Sequence, residues 1–222
     1  MKNAHKPGAS GLYFGAGLFL LGALTTFIVI SNSKMPPEKP LITAPAVASL
    51  AAGRSAGDPS APIQIIEYSN FHCKGCAFMQ PYVESLLKEH GSKIYYQYRH
   101  FSHPRDKKTF LAHMAAQAAA QQGKFFPYKK KLYESQEEWM AVEDPIPLFM
   151  KYVEELHLDR TAFLRAVKDK GTQKIILADL EEARKVGIRV TPSFIINGEV
   201  AMGGKAFKER ISQLLGEPVE KN

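Results

Sequence analysis

The sequence predicts an α/β domain with a long helical insertion, placed behind one N-terminal membrane-spanning helix. Three stretches carry the domain prediction. A short β-branched run at residues 63–68 leads into Cys73-Lys74-Gly75-Cys76, which opens a helix-like pattern. Residues 104–185 then read as one helical pattern after another. Strand grammar returns at residues 188–202, where Asn197-Gly198 between two apolar runs is a strong hairpin signal.

In chain order, residues 1–10 are a short tail carrying Lys2, His5 and Lys6. Residues 11–30 hold no charged side chain. As a helix they would span about 30 Å, the thickness of a bilayer's hydrocarbon core. The basic tail places itself in the cytoplasm and the remainder on the extracytoplasmic side, periplasmic or cell-surface, of a single-pass membrane protein. A cleaved signal peptide is the rival reading. Its apolar core would run only about 7–15 residues, with a small-x-small site close behind. Here the nearest such site is Ala46-Val-Ala48, so an uncleaved anchor is the preferred reading. Residues 31–56, broken by Pro36, Pro37, Pro40 and Pro45, read as a Pro/Ala-rich linker.

The domain is expected over residues 57–216, with a tail at 217–222. Its first strand carries one charge, Glu67. Phe78, Tyr82, Val83, Leu86 and Leu87 recur at helical spacing up to His90, with Gly91 as the stop. Pro81 removes a backbone bond inside this helix and is expected to kink it. Residues 93–101 read as a second strand, with Ile94, Tyr96 and Tyr98 alternating against Tyr95, Gln97 and Arg99. In the insertion, Leu111, Met114, Ala115 and Ala118 form one apolar face, ended by Gly123. Residues 125–133 and 146–156 give shorter helices. Asp159 or Thr161 caps the next, and residues 175–186 form the last. Trp139 reads as a core or groove residue. Residues 206–215 close the domain as a helix with Phe207, Ile211, Leu214 and Leu215 on one face.

Net charge is +7, spread along the chain. The clusters Arg105-Asp-Lys-Lys108 and Lys129-Lys-Lys131 read as solvated helix faces, and nothing makes a case for nucleic acid.

Cys73 and Cys76 are the chain's two cysteines. Unpaired amides at a helix N-terminus favour an anion, so a cysteine there ionises more readily than a free thiol. The thiolate is the species that attacks a disulfide. This points to thiol–disulfide exchange, with Cys73 as the exposed nucleophile and Cys76, one turn deeper, as the resolving thiol. Lys74 adds positive charge beside the thiolate, His72 adds another when protonated, and Gly75 lets another chain approach closely. Glu67 has two readings, a buried carboxylate that exchanges a proton with Cys76 or an exposed strand-end side chain.

Rival chemistries fit less well. A zinc site has no second cysteine pair to complete it, though two of the seven histidines could serve. Haem attachment requires a histidine where Ala77 stands. A structural disulfide would ordinarily close a longer loop. Soft thiolates suit Cu(I), which Cys73, Cys76 and His72 could hold, but no Met- or His-rich set lies beside the motif. No metal or cofactor is expected.

Gly57-Asp-Pro-Ser-Ala-Pro62 before the first strand, the Cys-x-x-Cys, the helical block, and Val190-Thr-Pro192 before Ser193-Phe-Ile-Ile-Asn-Gly198 together resemble the DsbA family of thioredoxin-fold oxidoreductases. The resemblance covers about residues 57–216. It implies a thioredoxin-like fold with a helical insertion and a cis bond at Pro192 lying against the active-site sulfurs. It also implies that Thr191 offers backbone groups to a bound client. The partners implied are proteins with cysteine thiols and a membrane redox protein that recycles the pair. Lys74-Gly75 is neither the Pro-His of the strong oxidase nor the Gly-Pro of thioredoxin. Disulfide donation is the favoured direction, with reductase or isomerase work as the alternative.

Overall fold

The computed structural model describes residues 53–218. The expectations for the tail, the membrane-spanning helix, most of the linker and the last four residues lie outside the described residues. Among the described residues, no helix is long and apolar enough to cross a membrane.

Two parallel strands form the centre, β2 (Ile63–Ser69) and β3 (Ile94–His100), with Ile65 opposite Tyr96 and Glu67 opposite Tyr98. The helix α1 (Lys74–His90) joins them. The short β1 (Ser55–Ala56) pairs antiparallel with β3, and β4 (Ser193–Ile196) pairs antiparallel with β2. A hairpin links β4 to β5 (Glu199–Met202), and the order across the sheet is β1-β3-β2-β4-β5. Asn197 and Gly198 both take positive φ (50° and 88°), as a two-residue hairpin turn requires.

Between β3 and β4 lie the insertion helices. They are α2 (Lys107–Ala120), α3 (Phe125–Glu134), α4 (Gln136–Ala141), α5 (Ile146–Glu155), α6 (Arg160–Val167) and α7 (Lys170–Lys185). The last helix is α8 (Gly203–Leu215). Asp106, Asp159 and Asp169 cap α2, α6 and α7 by accepting from backbone amides in the first turn.

The sheet is covered on both faces. Ile63 and Ile65 face the main core with α1 and the insertion, whereas Ile66 and Tyr68 face Ala183 of α7. That double cover corrects the alternation expected for β3, because Gln97 and Arg99 are buried as well. Arg99 pairs with Glu182 (3.0 Å) and Asp179 (3.7 Å), and the His100 amide donates to Asp179 (2.8 Å).

Several other expectations are corrected. The linker reading ends at residue 56, but Arg54 is fully buried in an ion pair with Asp179 and Ser55–Ala56 is paired. Residues 53–56 are therefore part of the domain. Helix α2 is buried all round from Ala112 to Ala120 rather than on one face. Its alanines let neighbouring helices approach from every side. Helix α7 starts five residues before the apolar spacing suggests, because Asp169 caps it there. Helix α1 carries Pro81 inside it and continues to His90, where the apolar spacing places its end. Phe78, expected on the buried face of α1, is 74% exposed. The run Lys129-Lys-Lys131 does not form one solvated face. Lys130 pairs with Glu84 (2.8 Å) and Lys131 with Glu155 (2.5 Å), while Lys129 is buried over the rings of Tyr96, Tyr98 and Phe126.

Candidate active site

The site forms where central β2 ends and α1 begins. Residues 69–73 carry the chain across, and their polar groups are tied down one by one. Asn70 donates from Nδ2 to the Phe101 carbonyl (2.7 Å) and accepts at Oδ1 from the His72 amide (2.7 Å). The Asn70 carbonyl accepts from the Cys73 amide (3.0 Å).

Cys73 is the N-cap of α1, in extended backbone geometry, and its Sγ accepts from the Cys76 amide at 3.2 Å. A sulfur in the N-cap place receives a bond that a Ser or Asp oxygen would otherwise take. The Cys73 thiol is pulled down to about 5. The Cys76 side chain is the largest cause, with the Thr191 side chain and the amides of Cys76 and Gly75 adding to it; partial burial acts the other way. Cys76 is completely buried, and that burial, with the Cys73 sulfur beside it, pushes its thiol up. The two thiols are free, one half-buried and the other enclosed.

Thr191 and Pro192 approach from the β4 side. The Thr191–Pro192 bond is cis, and the Thr191 carbonyl oxygen lies 3.4 Å from Cys73 Sγ. A Cβ placed on Gly75 would stand 3.3 Å from Pro192 Cδ and 3.8 Å from Cys73 Sγ. Pro192, Gly75 and Cys73 are thus mutual neighbours.

Glu67 is wholly buried, on the α1 side of the sheet. It accepts from Tyr96 OH at 2.6 Å and from Gln80 Nε2 at 3.3 Å. The same Gln80 nitrogen donates to the Cys76 carbonyl (3.2 Å), so one amide bridges the carboxylate and the Cys76 backbone. Gln80 Oε1 is buried with no hydrogen-bond partner among the described residues. The exposed reading of Glu67 is therefore set aside.

Two further residues point outward. His72 is exposed and faces Asp106 (3.8 Å); Lys74 is exposed and faces Glu137 (3.7 Å). The leading causes of the low Cys73 value are hydrogen bonds, not the charges of these neighbours. Among the described residues no three His, Cys, Asp or Glu side chains gather as a metal-ligand group.

Sequence reasoning missed the residues that the insertion sends to this site. His113, Tyr133 and Gln136 reach residues 69–71 from 40 or more positions away, and no spacing rule joins them to the motif. Gln80 was findable, because four residues after Cys76 is one helical turn.

A family model described as thioredoxin matches residues 50–215. Among solved structures, the chain is similar to alpha-DsbA1 of Wolbachia pipientis, with a TM-score of 0.62 and 27% identity over 73% of this chain and 90% of that one. It shares its fold with BdbD from Bacillus subtilis (TM-score 0.59, 18% identity, 74% and 94% covered). Among curated proteins it is 28% identical over 151 residues to the Na(+)/H(+) antiporter NhaA 1 of Mycobacterium sp. (strain KMS), covering 64% of this chain and 23% of that protein. It is 31% identical over 146 residues to the Na(+)/H(+) antiporter NhaA 3 of Salinispora tropica, covering 64% and 21%. The chain thus spans under a quarter of the length of these curated relatives. With the family model matching most of its length and a helical insertion between β3 and β4, the chain belongs to the thioredoxin family, in its DsbA-like form.

Proposed function

We propose that this protein is a thiol–disulfide oxidoreductase of the DsbA-like type that donates the Cys73–Cys76 disulfide to client proteins outside the cytoplasm. One observation carries the direction of transfer. Cys73 is held down to about 5 while Cys76 is buried and pushed up. A stabilised thiolate favours the reduced pair, and a pair that prefers to be reduced is a strong oxidant.

In this cycle a client thiolate attacks Cys73 Sγ of the disulfide. The S–S bond breaks, a mixed disulfide forms, and Cys76 leaves as a thiolate that takes up a proton. A second client thiolate then attacks the client sulfur and expels Cys73 as its stabilised thiolate. The client gives up two electrons and two protons. The pair takes both electrons and, with Cys73 left as a thiolate, one proton on Cys76, the other proton passing to solvent. A membrane redox partner takes the electrons back.

Cys73, Cys76 and Pro192 form the catalytic set in this reading. Thr191 contributes its carbonyl beside the sulfur, and Glu67 works on Cys76 through Gln80. Exposed Phe78, Val190 and Met202, on the segments flanking the sulfur and Pro192, suit an unfolded client's apolar side chains. The uncharged residues 11–30 support tethering to the membrane, with the domain on the periplasmic or cell-surface side.

The test is to equilibrate the full-length chain with graded glutathione ratios and read the thiol state of both cysteines. A potential above about −200 mV is expected for a disulfide donor. A value well below it would reverse the direction and make the protein a reductase or isomerase.

A further inference from the structure

We propose that His113, supplied by the insertion helix α2, is a positioning residue for Cys73, holding Phe71 through a buried relay that runs Gln117–His100–His113–Phe71. The inference rests on the reading of Cys73 as the nucleophile and says what keeps that sulfur in place.

Phe71 stands two residues before Cys73 and is fully buried. Its ring packs on His113 (4.6 Å between centroids) and Tyr133 (5.0 Å). Both of its backbone groups are taken by the insertion. The N–H donates to His113 Nε2 at 3.4 Å, and the carbonyl accepts from Gln136 Nε2 at 2.7 Å. A backbone unit gripped at both ends by side chains of another layer has little freedom to shift. Asn70 accepts from the His72 and Cys73 amides, which ties residues 70–73 to one another.

The relay is determined from either end. His113 Nε2 accepts from Phe71, so its proton must sit on Nδ1. That proton is donated to His100 Nδ1 at 2.8 Å, which leaves the His100 proton on Nε2. His100 Nε2 then donates to Gln117 Oε1 at 3.2 Å. Starting from Gln117 returns the same assignment. Both imidazoles are fully buried and neutral. Burial first and the nearby Arg54 charge second hold His113 at about 3, and the same two causes lead for His100.

The consequence falls on the sulfur. Cys73 owes its low value to groups at fixed places, among them the Cys76 and Gly75 amides. Removing the His113 acceptor leaves a buried Phe71 N–H unpaired, which costs more than the bond itself contributes. The strand-to-helix segment then shifts to find a partner, and Cys73 Sγ leaves the amides.

The experiment titrates the Cys73 thiolate by its ultraviolet absorbance in the full-length, reduced protein and measures exchange with glutathione disulfide. His113→Phe keeps the packed ring and strips the acceptor; His113→Gln restores an acceptor oxygen. The wild type should ionise near pH 5. His113→Phe should raise that midpoint and cut the thiolate population below it about tenfold, and His113→Gln should recover most of it. An unchanged midpoint in His113→Phe beside a normal wild type overturns this inference alone. A wild-type midpoint at the ordinary thiol value overturns this inference and the nucleophile reading together. Should His113→Phe not fold, Gln136→Leu tests the second grip by the same readout, with an unchanged midpoint again counting against the inference. The wild-type imidazole nitrogen spectrum is an independent check. His113 protonated on Nδ1 and His100 on Nε2 support the relay, and His113 protonated on Nε2 ends it.

Discussion

The backbone amide of Cys76 points at the sulfur of Cys73 from 3.2 Å, so the buried cysteine supplies, through its main chain, part of what makes the exposed one an anion. The geometry is that of a helix N-cap with sulfur in place of oxygen.

That relationship sets a pH dependence. The Cys73 value is lowered from 9.0 to about 5, the Cys76 side chain being the largest cause. Alkylation of Cys73 should therefore be half-maximal near pH 5 and level off above it. Linkage has a definite sign here. A group depressed in the folded state contributes stability above its unfolded value and loses it as pH falls. The reduced protein should thus gain stability between pH 5 and 9, where an unfolded thiol stays protonated and Cys73 does not. Thermal melts of the reduced form across that window, compared with Cys73→Ser, check this. A Cys73→Ser protein with the same slope would contradict it.

Gly75 faces Pro192 with room for a methyl group only at 3.3 Å. Gly75→Ala should raise helix stability by up to about 1 kcal/mol, since alanine loses less freedom in a helix. It should also crowd the place where Pro192 meets the sulfur. Exchange with an unfolded protein client should fall more than exchange with glutathione. Parallel rate measurements on the two substrates separate crowding from a general loss of reactivity.

Gln80 Nε2 links Glu67 to the Cys76 carbonyl, and Glu67 also accepts from Tyr96 OH. Glu67→Gln keeps the shape and removes the charge. The first step, in which Cys76 leaves the disulfide and takes up a proton, should slow roughly tenfold or more if the carboxylate handles that proton. Cys73 alkylation should be unaffected. Quenched-flow trapping of the mixed disulfide reads the two steps apart, and an unchanged rate of its formation would remove Glu67 from the proton path.

Arg54 and Asp179 are a buried ion pair, with Arg99 sharing the aspartate. Arg54→Met strands the carboxylate in the interior and should cost about 3–5 kcal/mol of folding stability. Urea unfolding measures it. A loss under about 1 kcal/mol would mean that Arg99 alone satisfies Asp179.

Much of this protein was legible in local pattern. The first strand before the cysteines, the hairpin at Asn197-Gly198 and the caps at Asp159 and Gly91 follow from rules that act within a few residues. So does the candidate pair Cys73 and Cys76, because a helix N-terminus is a local feature with a local field. Identifying Pro192 and Thr191 took a resemblance, and the contact of Thr191 with the sulfur exists only once β4 lies beside β2.

Tertiary structure decided what covers what. Lys129 reads as one of three surface lysines until α3 turns it under three aromatic rings, and Phe78 reads as core until the helix shows it to solvent. Glu67 could be buried or exposed until a second layer closed over the sheet. Arg54 looked like linker because its partner is 125 residues away. The His100–His113 pair carries no sequence signal, since a neutral buried imidazole and a solvated one are written with the same letter. Periodicity records which way a side chain points from its own element; only packing brings the opposing element that gives the direction its chemistry.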